Sequence, residues 1–380
     1  MDSTRSDLPV VALDLKTYTR KAAGVGRYCI ELTQNLVSRG AFDYCGLVAP
    51  QTDRSLLPDL RLLPGAFDQV KSSLIRSFWA LPRGLKNSPI DLSHSMDPVL
   101  SSFAVKTHYK RISTVHDMIV WKYPSVFTKK HVFMVRRFTE LTLAKADHVI
   151  TDSHSAKADI LSEFPKVDPD RISVIHLAAS ARYQPQDPTL ISAFMAKHSL
   201  PKRYFLSVGT NEPRKNLDLL MDAFDQFRKK SAFSDIGLAL VGGSGWMQGK
   251  LDPSELNQRG IFPLGFLPEE ELPLAYAGAK AFVYPSLYEG FGLPLLESMG
   301  CGVPVITSNI SSMPEVAGDA GLYVDPHSID SIRSAMEQMA DQESLYEQMK
   351  LKALENSRQF TWEKTALQTE SVYRSVLGKE

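Results

Sequence analysis

Tyr284-Pro285-Ser286-Leu287-Tyr288-Glu289-Gly290-Phe291-Gly292-Leu293-Pro294-Leu295-Leu296-Glu297-Ser298-Met299-Gly300 carries the pattern that decides how this chain is built. The segment leaves a strand end, crosses a glycine-containing loop and enters a helix, with Pro294 suited to that helix's first turn. Short β-branched runs alternate with helical-period segments almost throughout the chain. Strands are expected at 10–13, 44–49, 90–93, 111–115, 148–151 and 172–175, then at 204–208, 237–241, 261–264, 281–284, 303–307 and 321–324. That alternation specifies β-α units stacked around parallel sheets and excludes a sandwich or a bundle. A polar, proline-containing stretch at 184–189 separates the two sets and reads as a domain connection.

Length and charge agree with this. The chain has 380 residues, 43 Lys and Arg against 43 Asp and Glu, and 43% hydrophobic residues. At about 150 residues per domain it forms two or three domains with sizeable cores. Zero net charge removes the whole-molecule field that collects nucleic acid, so no nucleic-acid partner is expected. Cys29, Cys45 and Cys301 are odd in number and widely spaced, which fits neither a disulfide framework nor zinc and matches a reducing cytoplasm. No stretch reaches the 18 or more apolar residues of a membrane span.

Ligands of doubly wound sheets sit outside the carboxyl ends of the strands. Two loops there stand out. In the first, Gly290 and Gly292 let backbone approach a ligand, the amides of Phe291, Gly292 and Leu293 face outward at a positive helix N-terminus, and Glu289 and Glu297 offer two acceptor-only carboxylates suited to sugar hydroxyls. An ordinary surface loop with two unrelated glutamates is the plainer reading of the same residues. In the second loop, Gly209-Thr210-Asn211-Glu212-Pro213-Arg214-Lys215-Asn216, two adjacent cations stand at a helix start, where the macrodipole disfavours them. They call for a counter-anion, and a diphosphate would supply it. A solvated Arg-Lys pair is again the plainer alternative.

Together these segments resemble the retaining glycosyltransferases of family four, which have the GT-B fold. The resemblance rests on the Glu-x7-Glu pair Glu289 and Glu297 and on the loop from Gly209 to Asn216. It extends to Gly24-Val25-Gly26-Arg27-Tyr28, Val115-His116-Asp117, Thr151-Asp152-Ser153-His154-Ser155 and the stretch from Met313 to Gly321, and it covers nearly the whole chain in the family's order. It implies two Rossmann-like doubly wound domains facing a cleft. The acceptor-side domain spans 1–183, the nucleotide-sugar domain 184–360, and a helix at 361–380 crosses back to the first domain. Thr361 is expected to cap that helix and Glu363 and Glu370 to lie on its polar face.

The resemblance also assigns roles. Arg214 and Lys215 would neutralise the departing diphosphate, and loss of Lys215 would remove that charge without removing a core contact. Glu289, with the amides of Phe291 and Gly292, would hold the transferred sugar, and Glu297 the ribose. Gly209, Thr210, Gly290 and Leu293 belong to the same donor loops; Gly242, Gly243, Phe266 and Leu267 would line the base pocket. From the first domain Gly24 and Gly26 would approach the phosphates, while His116 would sit by the sugar and acceptor, oriented by Asp117. Transfer would proceed with retention through front-face attack, without a metal or other cofactor. Asp168 and Asp170, an Asp-x-Asp pair, read as turn chemistry. One departure from the family pattern stands at His176-Leu177-Ala178-Ala179-Ser180, where relatives often carry glycine and aspartate.

Residues 289–297 and 311–326 look most like the subgroup using GDP-mannose. UDP-glucose, UDP-N-acetylglucosamine and dTDP-rhamnose remain alternatives, as does a non-catalytic nucleotide-sugar-binding protein. Two stretches mix aromatics with cations: 70–87, and 127–138 with Phe127, Lys129, Lys130, Phe133, Arg136, Arg137 and Phe138. Each suits an amphipathic helix on an anionic membrane surface, or equally a helix packed on its own sheet. A lipid-linked saccharide acceptor would make sense of the first alternative, with the chain cytoplasmic and peripheral on the inner face of the cell membrane.

Overall fold

The computed structural model describes residues 8–18, 24–49, 52–63, 85, 88–98, 107–243 and 253–379. The amphipathic segment expected at 70–87 lies outside the described residues except for Leu85. Two compact units form. One is 1–177 with 362–380, the other 178–361.

The first unit holds a seven-stranded parallel sheet of order β3-β2-β1-β4-β5-β6-β7. Its strands are β1 Val10–Asp14, β2 Asp43–Leu47, β3 Arg61–Leu62, β4 Leu92–Ser95, β5 Lys110–Thr114, β6 His148–Thr151 and β7 Ile172–Val174. The two-residue β3 was not anticipated, because so short a run carries no period. The second unit holds a six-stranded parallel sheet of order β10-β9-β8-β11-β12-β13. Its strands are β8 Arg203–Val208, β9 Ile236–Val241, β10 Ile261–Gly265, β11 Ala281–Tyr284, β12 Val305–Ser308 and β13 Gly321–Val324. Both sheets are doubly wound: strand order reverses at β1/β4 in one and at β8/β11 in the other, and loops at such a reversal diverge to leave a crevice. The fold expected from the sequence is the fold observed.

Strands covered on both faces read as continuous apolar runs, as Val11, Ala12 and Leu13 or Phe282, Val283 and Tyr284 do. In the second unit the helices α3 Leu217–Arg228, α5 Ile329–Asp341 and α6 Glu343–Ser357 bury an aromatic cluster on the sheet. Phe205, Phe224, Phe227 and Phe233 pack with Leu238, Val283, Met336 and Met339 in it. Residues 178–183, placed in the first domain by the sequence, pack here: Tyr183 meets Tyr276 edge-on at 5.8 Å. In the first unit Val115, Leu143, Val149 and Ile160 form a core cluster beneath α2 Lys129–Lys145. All three cysteines are buried and unbridged.

The C-terminal helix α7 Trp362–Leu377 packs on α1 Val25–Arg39 within the first unit. Here the sequence misled. Glu370 is not on a polar face but fully buried, where its carboxylate takes the Arg39 guanidinium at 3.1 Å and the Tyr44 hydroxyl at 3.4 Å. The cause is Arg39 at the last turn of α1, a cation that reaches under the later helix and must find an anion there. Thr365 Oγ1 donates to the carbonyl of His176 at 2.7 Å and adds a second tether.

Removing one partner of such a pair leaves the other uncompensated. The Glu370→Ala variant is expected to lose about 2 to 3 kcal/mol in urea unfolding, toward the low end for buried pairs because Arg39 keeps some solvent contact. A loss below about 0.5 kcal/mol, the ordinary surface effect, would show that the tether is not structural.

Candidate functional site

The strand reversal at β8/β11 brings the two loops singled out by sequence into direct contact. The loop after β8 passes through a short 3-10 turn, Pro213–Lys215, then through Asn216 in the left-handed region at φ 59°, into α3. Asparagine tolerates that conformation, and its amide is used: Nδ2 donates to the carbonyls of Pro285 at 3.2 Å and Pro326 at 2.6 Å. The Leu287 amide donates to the Arg214 carbonyl at 2.7 Å. Backbone and side chain thus lace the 213–216 turn to the loop after β11.

At the seam lies a buried charge cluster. Lys215 Nζ is 2.7 Å from Glu289 Oε1, and an Arg214 guanidinium nitrogen is 2.7 Å from Glu289 Oε2. Tyr284 and Ser286 each donate to Glu289 Oε1 at 2.8 Å, and Lys215 also donates to the Tyr284 hydroxyl. Arg214 Nε reaches Glu212 at 2.8 Å. The Glu289 backbone is clamped from a third loop, its amide donating to Ser311 Oγ at 3.1 Å and its carbonyl accepting from Ser311 and Ser312 at 2.8 and 3.0 Å. Burial by itself would raise the Glu289 carboxyl, but Lys215 and Arg214 hold it down at about 2. Burial pushes the Lys215 ammonium below its ordinary value, opposed by Glu289 and reinforced by Arg214.

The counter-anion demanded by Arg214 and Lys215 is therefore supplied by the chain itself. Lys215 is also a core residue, contrary to the sequence reading: it is 8% exposed, and its Nζ lies 4.7 Å from the centre of the Tyr284 ring. Tyr284 and Ser286 were not foreseen, although Tyr284 ends β11 and Ser286 stands three residues before Glu289. A buried ion cluster contributes little net stability compared with well-packed apolar residues, and groups with such shifted pKa values cluster at functional sites.

The remaining donor-loop residues surround this cluster. Gly209, Gly242 and Gly265 follow or end three neighbouring strands, with the Gly242 amide bonded to the Gly265 carbonyl at 2.8 Å and the Gly209 amide to the Val241 carbonyl at 2.9 Å. A Cβ on Gly242 would lie 2.0 Å from the Gly209 carbonyl oxygen, so this ledge can carry no side chain there. Thr210 and Gly243 are exposed beside it. Phe266 and Leu267 part company: the Phe266 side chain is 78% exposed while the Leu267 side chain is buried. Gly292, at φ 105°, caps α4 Leu293–Gly300, a conformation that disfavours any side chain. Gly290 is half-buried and the Phe291 side chain is buried against Phe360. Glu297 is buried within α4 and accepts from the Tyr276 hydroxyl at 2.9 Å.

In the first unit, Gly24 at φ 42° precedes α1 and Gly26 is buried in its first turn. His116 follows β5. Its Nδ1 lies 2.7 Å from Asp152 Oδ2 and its Nε2 2.9 Å from the Met96 carbonyl. Both partners are acceptors, so both ring nitrogens must donate and the imidazolium is the form that satisfies them. Burial opposes this, but Asp152, with help from the Met96 carbonyl, raises the group to about 9. Asp152, not Asp117, orients the ring; the Asp117 carboxylate instead accepts from the Ile119 amide at 3.0 Å. Asp152 was legible only as part of the Thr151–Ser155 motif at the end of β6.

Two other sequence readings are placed. Asp168 accepts from the Asp170 amide at 3.0 Å at the start of a 3-10 turn, the geometry of turn chemistry. The basic-aromatic stretch on α2 divides. Phe133 is 71% exposed beside Lys129, Lys130 and Arg137, whereas Phe138 is buried and Arg136 donates to the Val120 carbonyl at 3.1 Å and lies over Trp121. Among the described residues no helix is long and apolar enough to cross a membrane.

Two doubly wound sheets, one with a cation–carboxylate cluster at its strand reversal, define a protein of the GT-B class. Residues 22–180 match the family model described as Glycosyltransferase Family 4, and residues 192–356 the model described as Glycosyl transferases group 1. The chain is 36% identical over 271 residues to the O-antigen chain mannosyltransferase B of Escherichia coli, covering 70% of each. It is 31% identical over 285 residues to the serotype-specific mannosyltransferase WbdA of Escherichia coli, covering 72% of this chain and 34% of that longer protein. In fold it is similar to Anabaena Alr3699/HepE, solved in complex with UDP-glucose, with a TM-score of 0.73 at 15% identity over 97% of this chain and all of that one. The chain belongs to the family-four glycosyltransferases.

The His116 pair gives stability a pH signature. Its folded value near 9 lies above the unfolded 6.5, so the contribution is complete below about pH 6.5 and is lost as pH rises through 9, amounting to about 3 kcal/mol. Urea unfolding at about pH 6 and pH 9.5 is expected to show this loss in the wild type and not in the Asp152→Asn variant. Equal pH dependence in both would remove the imidazolium assignment.

Proposed function

We propose that this glycosyltransferase transfers an α-mannosyl group from GDP-mannose, with retention of configuration, to a lipid-linked saccharide during polysaccharide assembly. The named relatives, both mannosyltransferases, and the resemblance to GDP-mannose users support the donor. The observation that carries the chemistry is the grip of Lys215 and Arg214 on Glu289.

A nucleoside diphosphate brings at least two negative charges to a seam where two cations share one carboxylate. Its phosphate oxygens compete for Lys215 and Arg214, forming charge-assisted hydrogen bonds. Glu289 then turns its oxygens to the sugar hydroxyls, still held by Tyr284, Ser286 and the clamp on its backbone. As the bond from the sugar C1 to the phosphate oxygen breaks, charge accumulates on the diphosphate, and fixed cations stabilise that change more than they stabilise the bound donor. The acceptor oxygen attacks the same face, and its proton passes to the departing phosphate oxygen. Glu297, fixed by Tyr276, takes the ribose hydroxyls, and the glycine ledge with Phe266 takes the base.

His116 donates from both nitrogens, so it has no lone pair with which to act as a general base. Its role in this reading is a positive charge beside the sugar. Because Arg214 and Lys215 supply the charge that a divalent ion supplies elsewhere, the reaction is proposed to be metal-independent. The exposed Phe133 among Lys129, Lys130 and Arg137 supports peripheral attachment to an anionic inner membrane face.

Lys215→Met keeps most of the buried volume while removing the charge. GDP release from GDP-mannose is expected to fall by about 10² to 10³ in kcat, with the folded protein retained because Glu289 keeps Arg214. Unchanged kcat would refute the leaving-group role. In thermal melts GDP, and not UDP or dTDP, is expected to raise Tm regardless of EDTA; a shift with UDP alone would replace the donor. Phe133→Asp is expected to release the protein from anionic vesicles in flotation, and flotation unaffected by it would discard that surface.

A further inference from the structure

The first unit buries a second histidine whose partners lead toward His116. His94, in β4, holds the Tyr373 hydroxyl at 2.7 Å through Nδ1 and Thr114 Oγ1 at 2.9 Å through Nε2. Thr114 Oγ1, at the end of β5, is also 2.8 Å from the Tyr28 hydroxyl. The Tyr28 ring meets the His116 imidazole edge-on, with centroids 4.8 Å apart and planes at 81°. Tyr28, His94, Thr114 and Tyr373 are each at most 1% exposed.

Four elements therefore converge on one dry polar chain: α1 through Tyr28, β4 through His94, β5 through Thr114 and α7 through Tyr373. Packing alone does not require it, since Phe, Val or Leu would fill the same positions without polar groups to satisfy. The chain is internally consistent. Burial and the nearby His116 cation hold His94 neutral, at about 3, and a neutral imidazole offers one donor and one acceptor, so it can pass a hydrogen-bond chain through itself in a single sense. Asp152 and Met96 grip the two N–H groups of His116, which fixes the ring's edge but leaves its faces and flank to packing. Tyr28 supplies that flank, and the orientation of Tyr28 is set by the hydroxyl of Thr114.

We propose that Tyr28, Thr114 and His94 are positioning residues for His116, tying its imidazole to Tyr373 of the C-terminal helix. The functional half of this inference rests on the reading that His116 meets the reacting sugar. None of the four touches the sugar in that reading; they act through His116.

The test uses the full chain, labelled with ¹⁵N, and the variants Thr114→Val, Tyr373→Phe and Thr114→Ser. Imidazole N–H signals of His116, assigned with His116→Gln, are followed without donor, and GDP release from GDP-mannose is measured in parallel. Thr114→Val and Tyr373→Phe are expected to shift or broaden the His116 signals and lower kcat about tenfold, as a small misplacement of a reacting group does, with donor KM within about twofold. Thr114→Ser is expected to restore both readouts. His116 signals that stay in place, with losses confined to Tm, overturn the positioning role. Displaced signals with unchanged kcat overturn instead the reading that His116 serves the transfer.

Discussion

One buried carboxylate shared by two cations organises the second unit. Glu289 accepts from Lys215, Arg214, Tyr284 and Ser286, and those groups come from the loops that diverge at the β8/β11 reversal. The sheet order makes this meeting possible and the polar seam makes it specific. Lys215 and Glu289 are buried there, so each charge needs its partner. The loops respond with backbone bonds to one another, an asparagine held in the left-handed region and two serines gripping the Glu289 backbone. The arrangement aims two cations at one carboxylate, and in the proposed reaction that is the preorganisation electrostatic catalysis needs.

The first unit solves a related problem with a different charge. His116 is a cation because both its hydrogen-bond partners accept, and Asp152 compensates it. Its neighbour His94 is neutral because it is buried beside the His116 cation, and its hydroxyl partners can serve a neutral ring. Two buried imidazoles in one unit thus take opposite charge states, one beside a carboxylate and the other beside a cation. The C-terminal helix belongs to this unit, held through Glu370 at Arg39 and through Tyr373 at His94, so the end of the chain is part of the environment of His116.

Much of this was legible in sequence, and the misses have physical causes. Strands buried on both faces announce themselves as apolar runs, and loops at their ends are short enough to quote, which placed Arg214, Lys215 and Glu289 in one region without coordinates. The identity of their partner was not legible: two cations need an anion, but only the strand order shows that Glu289, 74 residues after Lys215, supplies it. Asp117 was named as the carboxylate orienting His116 because it adjoins that residue in sequence, whereas Asp152 comes from β6, which adjoins β5 in space. Glu370 was placed on a polar face because a helical pattern records period and not the cation waiting beneath. Phe266 and Leu267 were taken as a pair, yet neighbours leaving a strand end point to opposite environments.

In the proposed reaction Lys215 and Arg214 exchange Glu289 for the donor's diphosphate. A crystal structure with GDP bound tests it most directly. Phosphate oxygens are expected within about 3.2 Å of Lys215 Nζ and the Arg214 guanidinium, the range of charge-assisted hydrogen bonds, with the Glu289 carboxylate turned away from at least one of them. GDP bound while Lys215 and Arg214 both stay on Glu289 at 2.7 Å would contradict it.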